Sequence, residues 1–176
     1  MSNNAKSSTF ANFYKNKGSS IMIERHSVTK ADESFLFQVF KETREEEMRA
    51  IGWDMEECET FLRMQFDMQK RSYALQFPSA DHEIIRLDKM RVGQILTEIT
   101  DQSIRVIDIS LLADYRNKGI GTHLISDIQA RAEVMEKAVQ LHVMYNNPAQ
   151  NLYERLGFHV TGEKMPYLAM EWQAGK

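Results

Sequence analysis

Residues 104–132 read IRVIDISLLADYRNKGIGTHLISDIQARA, and this stretch decides the fold. Ile104 to Leu112 is rich in Ile, Val and Leu, the composition of a strand. From Ile120 onward, Leu124, Ile125, Ile128 and Ala132 return at three- and four-residue spacing, which marks one buried face of a helix. Between the two lies Arg116-Asn-Lys-Gly119-Ile-Gly121-Thr122, so a glycine-bearing turn joins a strand to a helix amino terminus. The first turn of a helix has N–H groups without intrahelical partners and the positive end of the dipole, and glycines let a backbone approach an anion closely. A pyrophosphate fits such a cradle. Taken alone, Gly-x-Gly is equally the shape of a tight strand-to-helix turn, and both readings stay open on this segment. Two nucleotide motifs are excluded, because Thr-His-Leu-Ile after Gly121 supplies neither a Walker Gly-Lys-Ser/Thr nor the third glycine of a dinucleotide fingerprint.

Upstream, Ser20 to Val28 reads as a first strand. Thr29 caps a helix whose buried face carries Phe35, Leu36, Val39 and Phe40, and Gly52 ends it. Asp54 and Glu57 open a second helix with a capping-box pattern, and Phe61, Leu62, Gln65, Phe66 and Met68 form its inner stripe. The period then changes to that of an antiparallel meander over His82 to Leu87, Arg91 to Ile99 and Ile104 to Leu112. Downstream of the 104–132 segment come a strand at Ala138 to Met144, a helix at Pro148 to Leu156 and two late strands at Phe158 to Thr161 and Met165 to Trp172. The order β-αα-βββ-α-β-α-ββ predicts a mixed α/β domain over residues 20–176. Residues 1–19, rich in Ser, Asn, Lys and Gly, read as a disordered tail, with a docking segment built on Phe10, Phe13 and Tyr14 as the other reading.

Composition removes several classes. The chain has 176 residues, 22 Lys plus Arg against 25 Asp plus Glu and a formal net charge of -3, so no positive field holds nucleic acid non-specifically. The single cysteine, Cys58, excludes a disulfide framework and fits a cytoplasmic protein. No apolar run reaches the roughly 18 residues of a membrane span. The five histidines show no metal-ligand spacing and the eleven methionines are dispersed, so no metal is expected.

With these residues in view, Leu111-Leu-Ala-Asp-Tyr115-Arg116-Asn-Lys-Gly119-Ile-Gly121 resembles the Arg/Gln-x-x-Gly-x-Gly/Ala acetyl-coenzyme A loop of the GNAT superfamily of N-acyltransferases. Asn146-Asn-Pro-Ala149-Gln-Asn-Leu152-Tyr153-Glu-Arg-Leu156-Gly157-Phe158 is similar to a second block of that family, in the expected order, and Tyr167 to Trp172 to its terminal strand. The resemblance implies a GNAT-like central sheet, mixed and mostly antiparallel, of six to seven strands flanked by about four helices. It implies acetyl transfer from acetyl-coenzyme A to a primary amine on a small molecule or peptide, by direct attack in a ternary complex. Ile109, Ser110 and Leu111 would bond the pantetheine, with an extra residue or bulge in their strand, which splays from Ala138 to Met144. The pyrophosphate would lie on Asn117, Lys118, Gly119, Ile120, Gly121 and Thr122, with Arg116 adding charge and Asn146 orienting the arm. Ala113 stands where many relatives have proline.

The same resemblance makes the Leu111 N–H the donor to the thioester oxygen and Tyr153 the general acid; by helical spacing alone Tyr153 equally reads as core. Many relatives carry a glutamate where this chain has Arg105, which cannot take a proton. Asp108 and His142 are the two replacements in view for the base. The acceptor pocket is expected along Arg44 to Met48, Trp53, Gln65, Gln69, Tyr73, Tyr167 and Trp172, with Glu45, Glu46, Glu47, Glu56, Glu57 and Glu59 as sources of long-range attraction for a cation. Cys58 is remote in sequence from every one of the clamp elements. A regulatory module that binds acyl-coenzyme A without catalysis is the rival reading, and a homodimer through the late strands is compatible with either.

Overall fold

The computed structural model describes residues 10–16 and 19–175. Its elements are β1 (Phe10–Asn16), β2 (Ser19–Ser27), α1 (Glu33–Glu42), α2 (Glu45–Ile51), α3 (Met55–Gln76), β3 (Asp81–Leu87), β4 (Met90–Ile99), β5 (Ser103–Leu111), α4 (Ile120–Val134), β6 (Ala138–Met144), α5 (Ala149–Arg155), β7 (His159–Lys164) and β8 (Tyr167–Trp172). Short 3-10 turns, Lys30–Asp32 and Ala113–Tyr115, precede α1 and follow β5. The strands hydrogen-bond in the order β1-β2-β3-β4-β5-β6-β8-β7. The β5–β6 pair is parallel, whereas β1–β2, β2–β3, β6–β8 and β7–β8 are antiparallel. This is the mixed α/β architecture that the hydrophobic periods predict, with the mostly antiparallel sheet that the family resemblance implies.

Two counts differ from expectation. Among the described residues the sheet has eight strands, because Phe10–Asn16, read as part of a disordered tail, pairs with β2 from Phe10↔Arg25 to Asn16↔Ser19. Ladder bonds use main-chain groups that Ser, Asn and Lys also carry, and an edge strand tolerates such residues, so composition is a poor guide there. Residues 1–9 lie outside the described residues. The described residues form five α-helices, because the helix predicted after Thr29 breaks in two. Thr43 Oγ1 donates to the Phe40 carbonyl at 2.7 Å, a side-chain bond that competes with helix propagation and ends α1.

The chain divides into two units. The first holds residues 1–95 and 110–116. Its core joins Phe35, Leu36, Phe37, Val39 and Phe40 of α1 to Leu62 and Phe66 of α3 and Ile84 of β3. The Phe66 ring packs edge-on against Phe37 and Phe40, each at 5.5 Å between centroids. Asp54 caps α3 by accepting from the Glu56 and Glu57 amides at 2.9 Å, as the capping-box spacing predicts. The second unit holds residues 96–109 and 117–176. It buries Ile120, Leu124, Ile125, Ile128 and Ala132 of α4, the predicted stripe, together with Val139, Leu141 and Val143 of β6.

Candidate active site

In the second unit, β5 and β6 pair from Ser103↔Ala138 to Val106↔Leu141, and there their ladder ends. Both strands run on, β5 through Ile107, Asp108 and Ile109 and β6 through His142, Val143 and Met144. On its other edge β6 stays paired with β8 as far as Met144↔Tyr167. The result is an opening between two parallel strands, the splay that the family resemblance implies. After β5 the chain turns through Asn117 at φ 56° and Gly119 at φ 82°, both left-handed, before α4 begins at Ile120. Alternation of this kind turns successive N–H groups toward one concavity, which suits an anion. Gly119 is the N-cap of α4 and provides no side-chain cap, and the first turn of the helix contains no acidic residue. The first-turn amides at Ile120, Gly121 and Thr122 have no acceptor within the helix itself.

Tyr153 lies on α5, half-buried, its ring 5.7 Å from that of Phe158. Burial, and after it the negative charge of Asp108, push its phenol up to about 12. The structure therefore brings Tyr153 and Asp108 within electrostatic reach of one another. His142 is placed differently. Along β6 the side chains alternate, with Val139, Leu141 and Val143 buried and His142 exposed on the opposite face. In the parallel ladder Val106 pairs with Leu141, so Asp108, two residues on, continues the face opposite to that of His142. The two candidate bases thus stand on different faces of the sheet. Asn146 is exposed, in the left-handed region at φ 66°, in the turn after β6.

In the first unit the end of β5 is distorted. At the β4–β5 turn, Thr100 N–H donates to the Ser103 carbonyl, and the Arg105 and Glu98 side chains meet at 2.7 Å. Counting from there, Val92 should stand opposite Leu111, yet its carbonyl accepts from the Leu112 N–H at 2.9 Å. One extra residue has entered β5, which is a β-bulge. It falls opposite Gly93, where a Cβ would lie 2.3 Å from the Ser110 carbonyl oxygen. Arg116 Nε donates to the Leu111 carbonyl at 2.9 Å, while Arg116 Nη2 is buried with no hydrogen-bond partner. Ala113, at the position where proline is common in the family, donates its N–H to Glu42 Oε2 at 2.7 Å, a bond that proline cannot make.

Residues 79–160 match the model of the acetyltransferase (GNAT) domain. That segment, just under half of the chain, is similar to a GNAT acetyltransferase domain. Among solved structures, the PaiA N-acetyltransferase of Thermoplasma acidophilum, in complex with coenzyme A, is 20% identical at a TM-score of 0.63, over 86% of this chain and 98% of that one. The Campylobacter jejuni N-acetyltransferase PseH, in complex with acetyl coenzyme A, is 18% identical at 0.56, over 87% and 99%. A histone acetyltransferase HPA2-related protein from Corynebacterium glutamicum is 22% identical at 0.58, over 84% and 93%. At these identities the likeness shows the fold. No curated protein sequence matches the chain.

Two features of the structure escape a reading by motif. Glu98 sets a carboxylate against Arg105, the position where relatives carry glutamate, so a negative group stands beside that residue from the neighbouring strand. Counting back across the Thr100–Ser103 turn would have found it. The second is a cavity of about 780 Å³ in the first unit, lined by α1, α2, α3 and the turn at Ala113 and Asp114. Of the expected acceptor residues, Glu45, Met48, Trp53 and Glu59 line it and Gln65, Gln69 and Tyr73 do not, while Tyr167 and Trp172 belong to the second unit. Cys58, distant in sequence from Ala113, shares this wall with it. Glu56 and Glu57 line a separate cavity of about 620 Å³ with Trp53 and Phe61. Among the described residues no three His, Cys, Asp or Glu side chains group as metal ligands, and no helix is long and apolar enough to cross a membrane.

Proposed function

We propose that this domain moves an acetyl group from acetyl-coenzyme A to a primary amine, of a small molecule or a peptide, by direct attack in a ternary complex. The observation that carries the reading is the end of the β5–β6 ladder at Val106 and Leu141, which opens strand edges for a pantetheine arm along Ile109, Ser110 and Leu111. The diphosphate is then held by the amides from Asn117 to Thr122, with Lys118 and Arg116, whose Nη2 is buried with no hydrogen-bond partner, adding charge and Asn146 bordering the arm.

The amine nitrogen attacks the thioester carbonyl carbon and forms the C–N bond, while the Leu111 N–H donates to the oxygen that gains charge. Collapse breaks the C–S bond, and the Tyr153 hydroxyl gives its proton to the departing sulfur. Asp108 stabilises the amine's positive charge and relays its proton through water. His142, on the other face of the sheet, has no part in this step. Asp108→Asn therefore lowers kcat by about tenfold or more while His142→Ala stays near wild type, in a thiol-release assay; the reverse order would move the role to His142.

The acceptor's cation is held in the first unit's cavity. There Lys41 and Arg49 pair with Glu59 and Glu45, and Glu42 and Asp114 add two further carboxylates to a lining shared with Trp53 and Met48. No acyl-enzyme forms. Cys58→Ala thus leaves kcat unchanged, whereas a bulky maleimide on Cys58 raises the KM for the amine and leaves acetyl-coenzyme A affinity intact. Calorimetry with acetyl-coenzyme A, coupled to thiol release over an amine panel, tests the whole reading. Both signals are expected, and binding without release from any amine would favour a regulatory acyl-coenzyme A module.

A further inference from the structure

A glycine inside a strand has no side chain to pack and weakens the strand unless another backbone comes close. Gly93 is buried in the middle of β4, and a Cβ built there would meet the Ser110 carbonyl oxygen at 2.3 Å, Leu111 Cδ2 at 2.7 Å and Leu111 Cα at 3.1 Å. Two of these three atoms are backbone, so no rotamer change makes room. A Cβ projects out of the sheet plane, whereas a ladder carbonyl lies near it. A carbonyl oxygen 2.3 Å from that point has left the plane and turned over the glycine. The register count gives the cause, since the extra residue of β5 falls opposite this position and bulges are where such peptides rotate.

The peptide that follows is planar and trans, so the Leu111 N–H points opposite to the Ser110 C=O and away from Gly93. The neighbouring groups are already committed. The Leu111 carbonyl accepts from Arg116 Nε and the Leu112 N–H donates to the Val92 carbonyl. The Ser110–Leu111 peptide immediately precedes these two bonds along the chain, and the empty side of Gly93 sets how far its carbonyl can turn.

We propose that Gly93 is a positioning residue for acyl transfer: its missing side chain admits the turned Ser110 carbonyl and so aims the Leu111 N–H at the thioester oxygen. This rests on the function proposed above and adds a residue that touches neither substrate. A methyl group at 93 would push the Ser110 oxygen back toward the sheet plane and swing the Leu111 N–H with it. The loss falls mainly on the charge that develops in the reaction, because coenzyme A has no acyl carbonyl and keeps its bonds at Ile109 and at the amides from Asn117 to Thr122.

The test is Gly93→Ala, beside Gly162→Ala as a control in which the added Cβ meets only the Ala169 Cβ at 3.9 Å. The expected result is a fall in kcat of about 100-fold for Gly93→Ala, the cost of a misaimed oxyanion donor, with coenzyme A affinity by calorimetry and the KM for the amine near wild type. In difference infrared spectra, the downshifted carbonyl band of bound 13C-labelled acetyl-coenzyme A should move back toward its free position in Gly93→Ala and stay in Gly162→Ala. A wild-type kcat with an unmoved band in Gly93→Ala overturns the positioning role alone. Wild-type protein that neither binds nor turns over acetyl-coenzyme A overturns the functional reading, and this role with it. Should Gly93→Ala not fold, amide NMR on the wild type decides: a Leu111 proton that moves downfield with acetyl-coenzyme A but not with coenzyme A supports the role, and an unmoved one overturns it.

Discussion

Tyr153→Phe should lower kcat by about 100-fold or more while leaving the KM for acetyl-coenzyme A close to wild type. The substitution removes one oxygen and keeps the ring that packs 5.7 Å from Phe158, so α5 and its approach to β7 are retained. What disappears is the proton for the leaving sulfur. The pH profile gives an independent check. With the phenol pushed up to about 12 by burial and by Asp108, only about one molecule in a thousand ionises at pH 9. A raised pKa keeps the acid form through the whole range in which an amine acceptor loses its own proton. Wild-type kcat/KM should therefore climb with pH as the amine becomes neutral and show no fall from Tyr153 below about pH 11. A descending limb near pH 9 that vanishes in Tyr153→Phe would place the phenol in an open, unburied site and remove this account of its environment. Unchanged turnover in Tyr153→Phe would remove the residue from the chemistry.

The second large effect is expected at the cradle. Gly119 sits at φ 82°, where a β-branched side chain collides with its own backbone, so Gly119→Val must strain the turn or shift the start of α4. Either response moves the amides of Ile120, Gly121 and Thr122. Calorimetry should show coenzyme A affinity weakened by about tenfold or more, which is about 1.4 kcal/mol, with kcat largely recovered at saturating acetyl-coenzyme A. The contrast with Tyr153→Phe is the informative part, since one variant loses grip and the other loses chemistry. Undiminished affinity in a folded Gly119→Val would mean that the diphosphate lies elsewhere.

Much of this architecture is legible from local patterns. The stripe from Ile120 to Ala132 is buried as its spacing requires, and Gly119 shows itself because only a turn with a positive φ needs glycine at the mouth of a helix. The alternation of β6 sets His142 on the face opposite to Val139, Leu141 and Val143, a consequence that its candidacy as a base overlooked. What stays hidden depends on pairing between segments far apart. Phe10–Asn16 becomes a strand through its partner β2, and its own composition says nothing of that. Cys58 reaches the wall that holds Ala113 only because α3 folds beside the end of β5, a distance that sequence separation misjudges. Gly93 is an intermediate case. An isolated glycine in a strand pattern signals a bulge or a close approach, but which backbone approaches is set by the register of β5.

The bond from Ala113 to Glu42 also changes how a departure from the family pattern should be weighed. A consensus-guided redesign would write proline at 113 and expect a stiffer loop. Here that edit would delete the donor that immobilises Glu42, freeing a carboxylate on the rim of the space between α1 and α3. Loop rigidity and the charge offered to an incoming amine are coupled through one main-chain hydrogen, and neither can be engineered without disturbing the other.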